Sequence, residues 1–471
     1  MINLQELKSL SYVISLTVIA ALGGFLFGYD TAVISGTTED VKAFYNLTDF
    51  RQGWYVGCAI LGSIIGVLMA GKLSDAFGRK PVLMTAAVMF SVSGAGCAVY
   101  SAFDQLVLYR IIGGTGIGIV SITAPLYISE ISVPQYRGRM VSCYQLAITV
   151  GILGSYLSNT AVLKWSQSVQ YESGLIKLVI NDQVWRGMLG METIPALLFL
   201  SVLFLIPESP RWQAVKQRDD KALRTLEKIY TPEKAREEIA EIHDVLCRET
   251  KSDWRLLLKP GFRVALIAGV CLAMLGQFMG VNAVFYYGPK FLLEAGLEKT
   301  VSLDFQVWVG LVNVVSTILA MMVIDRIGRK KLIYIGVSGM VVLLFGIGLF
   351  FFKVSAGQAV STRALFGLIL AYVFSSAISI SAVIFVLLSE MYPVKVRGSA
   401  MSIAGFSLWA GTYLIGQLTP WLTARLSASG VFWLFGVMCI PYLLITYFLI
   451  PETTGKSLED IEREWTGRGK G

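Results

Sequence analysis

The sequence predicts an all-α membrane protein of twelve spanning helices, arranged as two pseudo-symmetric six-helix halves. Three observations predict it. Hydrophobic residues make up 55% and charged residues only 15% of the 471, against roughly 25% charged in an average soluble domain; mean hydropathy is +0.64. The chain divides into apolar runs close to the ~20 residues that cross a bilayer as a helix. A short loop also occurs twice. Ser74-Asp75-Ala76-Phe77-Gly78-Arg79-Lys80 is matched 250 residues later by Ile324-Asp325-Arg326-Ile327-Gly328-Arg329-Lys330. An acid, a glycine and a basic pair at one offset, each time between two apolar segments, indicate a duplicated bundle.

In chain order, the expected spans 1 to 6 cover 11–36, 53–71, 81–101, 106–128, 140–160 and 188–206. Spans 7 to 12 cover 262–294, 304–324, 331–352, 364–390, 399–423 and 430–450. The domain reading follows: an amino-terminal half at 1–206, a cytoplasmic helical linker at 207–260, a carboxy-terminal half at 261–450 and a cytoplasmic tail at 451–471. Within the linker, Lys216 to Glu249 is rich in Lys, Glu, Ala and Arg at helical spacing. It predicts two or three short amphipathic helices on the membrane surface, either latching the halves together or forming a solvated connection.

Most of the 40 Lys and Arg residues fall in the loops and tails that an even number of spans places on one side. Basic residues are retained on the cytoplasmic face, so both termini and the linker are expected there. The net charge of +8 is then a topology signal. No basic soluble face is present for nucleic acid. Span 1 is long, lacks an obvious small-residue cleavage site and reads as a retained helix. The six cysteines (58, 97, 143, 247, 271 and 439) are scattered without a CxxC, which argues against a disulfide framework or a zinc site. The single histidine, His243, reads as a surface residue of the linker rather than a proton shuttle.

A second pair of loops repeats as well. Glu130, Pro134, Arg137 and Gly138 follow span 4, and Glu390, Pro393, Arg397 and Gly398 follow span 10. A third pair closes each half: Pro207-Glu208-Ser209-Pro210-Arg211 and Pro451-Glu452-Thr453-Thr454-Gly455-Lys456. All lie on the expected cytoplasmic side. Opposite charges at helix ends pair across neighbouring helices. Pairs made with the cytoplasmic mouth shut and broken when it opens bias a two-state equilibrium. Asp75, Arg79, Glu130, Arg137, Asp325, Arg329, Glu390 and Arg397 are therefore candidate gate residues. Anchoring of helix ends is the simpler alternative, which three duplicated sets make less economical.

These loops, together with Gly71 to Lys80, Tyr109 to Gly114, Pro125 to Arg139, Pro207 to Trp212, Asp325 to Lys330, Leu388 to Gly398 and Pro451 to Leu458, resemble the sugar porter family of the major facilitator superfamily. Xylose–proton symporters of bacteria and the facilitative glucose transporters of animals are the nearest types. The resemblance implies the major facilitator fold, a substrate site between the halves near mid-membrane, and alternating access.

Three ionisable residues sit inside apolar spans: Asp30 in span 1, Arg110 in span 4 and Glu192 in span 6. At 1.5 Å of rise per residue they fall roughly 6–10 Å inside the outer boundary, a shared depth that allows them to interact. Such residues are costly in lipid and usually functional. A carboxylate beside Arg110 stays ionised, and it takes up a proton more readily if the pair separates. From the residues alone, a static buried pair and a proton-coupling device stand level. The resemblance favours coupling, because proton-coupled sugar porters carry an acid at the position of Asp30 and facilitative relatives tend to carry a neutral residue.

A sugar presents many hydroxyls and little charge, so its site needs amides and aromatic faces. Gln277, Asn282, Tyr286 and Tyr287 in span 7, Asn313 in span 8 and Gln145 in span 5 are the polar candidates. A lone amide in a membrane helix is as often a helix–helix contact, and it is the resemblance that marks these as ligands. Phe27, Phe385 and Trp409 are the further aromatic candidates. Departures from the family pattern are equally specific. Gly276 replaces the first of two glutamines. Ser381-Ala382 and Phe385 stand for Gly-Pro and a tryptophan. Leu408 and Ile152 replace polar residues of the xylose symporters. A smaller or less hydroxylated ligand, or weaker binding, would fit. Without the proline, span 10 is expected to run straighter, with Gly276 and Gly280 giving flexibility to span 7.

The expected function is proton-coupled import of a neutral monosaccharide (pentose or hexose) or related polyol, by a protein working as a monomer in the plasma membrane without cofactor or metal. A facilitative uniporter on the same fold and a non-transporting sugar sensor are the alternatives. An enzyme is least expected, since no nucleophile–base set, metal cluster or phosphate loop is present.

Overall fold

The computed structural model describes residues 9–100, 102–248, 260–392 and 396–450; the side chains at 245–248, 260, 261 and 325 fall outside that description. The helices follow the apolar runs. Spans 1 to 6 are Leu10–Val33, Asp49–Phe77, Arg79–Val99, Phe103–Ile131, Arg137–Ser168 and, in two pieces, Val184–Gly190 and Thr193–Leu203. Spans 8 and 9 are Lys299–Ile327 and Arg329–Ser355. Several overrun the expected ends by a turn or more, because polar end residues such as Asp49 and Arg137 continue the helix beyond the apolar run.

Besides span 6, spans 7 and 10 are interrupted. Span 7 is Pro260–Phe278 followed by Val281–Glu294, with Gly280 between them at φ +86°. Glycine alone holds that conformation without strain, and a Cβ there would stand 2.2 Å from the Phe435 ring. Span 10 runs Thr362–Ser376, a π-helical turn Ala377–Ser381, then Ala382–Met391. The irregularity falls where Ser381-Ala382 stand, so the span keeps a local distortion without a proline. Spans 11 and 12 form one run, Arg397–Phe448, bent at Ser427 (φ 61°, ψ 168°); this corner sits between the two expected spans.

The chain groups into two compact units. One contains span 1 to Val33 and the chain from Leu61 through the linker helices; the other contains Ile34–Ile60 and spans 7 to 12. Residues 34–60 group with the second unit for identifiable reasons. Lys299 Nζ donates to both oxygens of Asp40 at 2.6 and 2.5 Å. Buried Lys290 donates to Gln52 Oε1 at 3.3 Å, and Gln417 Nε2 donates to the Phe50 carbonyl at 2.9 Å.

The linker forms three helices, Pro210–Val215, Asp219–Leu226 and Pro232–Arg248. They dock on the first unit: Val13 and Val133 share an apolar cluster with Leu226, Ile229, Tyr230 and Ala235. His243 lies on the exposed side, 3.1 Å from Asp219. Outward-facing apolar side chains such as Leu68, Met322 and Val342 are 64–72% exposed, as lipid-facing helix surfaces are.

Candidate functional site

In the first unit, the three intramembrane charges come together. Asp30 is 0%, Arg110 2% and Glu192 1% exposed. Arg110 Nη1 donates to Asp30 Oδ1, and Glu192 faces both of them. Glu192 stands at the junction between the two helical pieces of span 6, with Met191 and Glu192 both in right-handed helical conformation. Two carboxyl groups and one guanidinium thus share one buried site. Phe27 and Gln145 in the same unit are half-buried on spans 1 and 5, and Tyr29 donates its hydroxyl to Ser158 Oγ at 2.8 Å.

In the second unit, the break in span 7 places Gln277 and Asn282 on either side of Gly280. Asn282 Nδ2 donates to Gln277 Oε1 at 2.8 Å, and Thr412 Oγ1 donates to the same oxygen at 3.1 Å. Asn282 holds that oxygen and Thr412, whose single proton is shared with the Leu408 carbonyl at 2.9 Å, reinforces it, so the Gln277 carboxamide has a defined orientation and its NH₂ is available to a ligand hydroxyl. Thr412 escaped the sequence reading; its position one turn beyond Leu408 and Trp409 on span 11 is the signal that pointed to it. Tyr286 is 4% and Asn313 5% exposed. Trp409 is half-buried, and Phe385 is 51% exposed. Tyr287 is fully buried and donates its hydroxyl to the Gly416 carbonyl at 2.6 Å, which makes it a helix–helix contact rather than a ligand group.

The charges of the repeated loops pair inside each unit. Arg79 grips Glu130 with a fork, Nε to Oε2 at 2.9 Å and Nη2 to Oε1 at 2.8 Å, and Nη1 reaches Asp75 at 3.3 Å. Ser209 Oγ donates to Glu130 Oε2 at 2.5 Å. Glu208 accepts the backbone N–H groups of Arg79 and Lys80 at the start of span 3, a placement that suits a carboxylate at a helix N-terminus. Arg137 faces Glu238 of the linker. In the second unit Arg329 Nη2 donates to Glu390 Oε1 at 3.0 Å, and Arg397 Nε donates to the Tyr392 carbonyl at 3.2 Å. The Asp325 side chain, Pro393 and the Pro451–Lys456 segment lie outside the described residues.

The duplicated lysines share one task that the sequence did not disclose. Lys80 Nζ donates to the carbonyls of Phe204 and Ile206 at 3.0 and 2.7 Å, and Lys330 Nζ to those of Tyr447 and Ile450 at 3.2 and 2.9 Å. Each caps the end of the sixth span of its own half, where the helix leaves carbonyls unpaired.

The family described as "Sugar (and other) transporter" matches residues 16–465. The chain is 37% identical over 458 residues to the arabinose-proton symporter of Bacillus subtilis (strain 168), covering 97% of this chain and 96% of the relative. It is 36% identical over 488 residues to the D-xylose-proton symporter of Escherichia coli (strain K12), again covering 97% and 96%. The inward open conformation of the xylose transporter XylE from E. coli is similar in structure, with a TM-score of 0.81 at 34% identity over 96% of this chain and 100% of that one. A duplicated twelve-span bundle, a buried carboxylate–arginine cluster and these full-length similarities together place the chain: it is a multi-pass membrane protein that belongs to the sugar transporter family.

Proposed function

We infer that the protein imports a neutral monosaccharide together with a proton, by alternating access. The observation that carries this reading is the buried Asp30–Arg110 pair with Glu192 beside it. A static pair in this position would be weak evidence of anything, since buried pairs often contribute little net stability. The second carboxylate changes the case. It sets a second carboxyl group beside a single guanidinium, which gives the cluster a place to hold a proton in one state of the cycle and release it in another. Asp30 accepts the proton when Arg110 moves away, and Glu192 tunes the charge.

In this reading the sugar is held by Gln277, Asn282, Tyr286 and Asn313, with Phe385 and Trp409 against its ring, and with Phe27 and Gln145 contributed by the first unit. Support comes from the oriented Gln277 carboxamide and from relatives named as arabinose-proton and D-xylose-proton symporters. Pentoses are accordingly the first substrates to test. Arg79 with Asp75 and Glu130, Arg329 with Asp325 and Glu390, and Arg137 and Arg397 serve as the cytoplasmic gate, their pairs made with the cytoplasmic mouth shut and broken when it opens. The domain limits are 1–206, 207–260, 261–450 and 451–471. The protein works as a monomer in the plasma membrane, with both termini cytoplasmic and lipid around its apolar faces.

The test is uptake in proteoliposomes, screening L-arabinose, D-xylose, D-galactose and polyols. Sugar entry should alkalinise the external medium. Asp30→Asn should abolish accumulation against a gradient and spare exchange. Accumulation that survives both Asp30→Asn and an uncoupler would overturn the coupling.

A further inference from the structure

Ser93, in the middle of span 3, is 1% exposed, and its hydroxyl has no hydrogen-bond partner among the described residues. Its neighbours on the same span behave differently. Ser91, two residues earlier, donates to the Ala87 carbonyl at 2.9 Å, and Thr85 donates to Pro81 at 3.0 Å. Hydroxyls on membrane helices normally satisfy themselves in this way. Ser93 instead points across to span 4. A Cβ built on Gly113 would stand 2.5 Å from Ser93 Oγ and 3.9 Å from Asp30 Oδ1. Gly113 therefore opens the space between the serine and the carboxylate, one turn beyond Arg110.

The adjacent residue repeats the pattern. A Cβ on Gly94 would stand 2.7 Å from Thr193 Oγ1 and 3.4 Å from Glu192 Cβ. Thr193 Oγ1, Asp30 Oδ2 and Glu192 Oε1 are likewise buried without a partner. Two carboxyl oxygens and two hydroxyls, from spans 1, 3 and 6, thus converge around two glycines. A buried polar group left unsatisfied costs about 1–3 kcal/mol, so four together call for a role. A hydroxyl suits the place, because it donates to a carboxylate and accepts from a carboxylic acid.

We propose that Ser93, seconded by Thr193, is a positioning residue of the proton site: its hydroxyl, through one water in the space Gly113 leaves open, supports the Asp30 carboxylate and thereby sets the pH at which Asp30 takes up its proton. This deepens the coupling reading above and rests on it. The proton moves from water to an Asp30 oxygen, Arg110 lets go, and the new O–H donates to the oxygen that had been donating to it. The charged and titratable groups facing Asp30 are Arg110 from span 4, Glu192 from span 6 and the neighbouring Tyr29, which faces Glu192. Residues 81–99 of span 3 and 140–160 of span 5 contain no Asp, Glu, Lys or Arg. On span 3, Cys97 faces Tyr109.

The test needs no knowledge of the sugar. Infrared titration of the purified transporter in liposomes follows the protonated-carboxyl stretch, with the Asp30 band assigned as the one lost in Asp30→Asn. Ser93→Ala removes a donor to the carboxylate, so the midpoint of that band should rise by about one pH unit, a tenfold tighter hold on the proton. Ser93→Thr should restore it, and Ser91→Ala should leave it unmoved. Should Ser93→Ala fail to fold, Ser93→Cys keeps the volume with a weak donor and should shift the midpoint in the same direction. An unchanged midpoint in Ser93→Ala or Ser93→Cys, with a normal Asp30 band in the parent, overturns the role of Ser93 alone. A parent with no titrating band lost in Asp30→Asn overturns the coupling reading, and this inference with it.

Discussion

Arg110→Gln removes the counter-charge from a carboxylate that is 0% exposed. Breaking a buried pair from one side leaves an uncompensated charge and costs about 3–5 kcal/mol. Each 1 kcal/mol moves the melting point of a domain of 150–250 residues by about 2–4 °C, so the loss is on the order of 10 °C. Asp30→Asn/Arg110→Gln removes both charges and leaves two amides able to pair, so the double variant should recover most of the loss. Thermal unfolding of the purified protein, followed with a thiol-reactive dye, measures this, because the Cys97 thiol is buried in the first unit. A single variant as stable as the parent, or a double variant no better than the single, would refute the reasoning.

Three further outcomes are expected. Thr412→Val keeps the shape but removes the hydroxyl that Gln277 Oε1 shares with the Leu408 carbonyl; at no more than about 0.5–1.5 kcal/mol for a neutral hydrogen bond, sugar binding should weaken by up to roughly 10-fold by isothermal titration, with the melting point little changed. Gly280→Ala forces a side chain into φ +86° and into the Phe435 ring; positive φ alone costs more than about 1 kcal/mol, and transport rate in proteoliposomes should fall more than binding does. Ser209→Ala removes both the bond to Glu130 and the cap on the Trp212 N–H; loss of the cap alone costs about 0.5–2 kcal/mol, and limited trypsin digestion should cut the linker helices faster than in the parent.

The membrane architecture was legible because its physics is local. A spanning helix announces itself by apolar length, and the duplicated Asp75 and Asp325 loops announce the repeat. The depth of Asp30, Arg110 and Glu192 followed from rise per residue, and they do converge. The roles of Thr412, Ser93 and Tyr287 were hidden for one common reason. Whether a hydroxyl faces its own helix, a neighbouring carbonyl or a functional group depends on helix rotation and approach, and neither is written in spacing. Tyr287 looked like a ligand by composition and is a contact to Gly416 by geometry. Ser93 looked like any serine in an apolar helix.

The sequence by itself determined that this chain enters the membrane twelve times, that it is a doubled six-helix unit, and that an acid and an arginine sit at one depth inside it. Each of these is set by periodicity and charge along the chain. Only the tertiary structure decided that residues 34–60 group with the second unit, that Glu208 closes the start of span 3, that Lys80 and Lys330 cap the sixth helix of their own halves, and that Gln277 is oriented by Asn282 and Thr412. The reason is distance. Hydrogen bonds and ion pairs require partners within about 3 Å, and partners more than a hundred residues apart meet at that range only after the helices have packed.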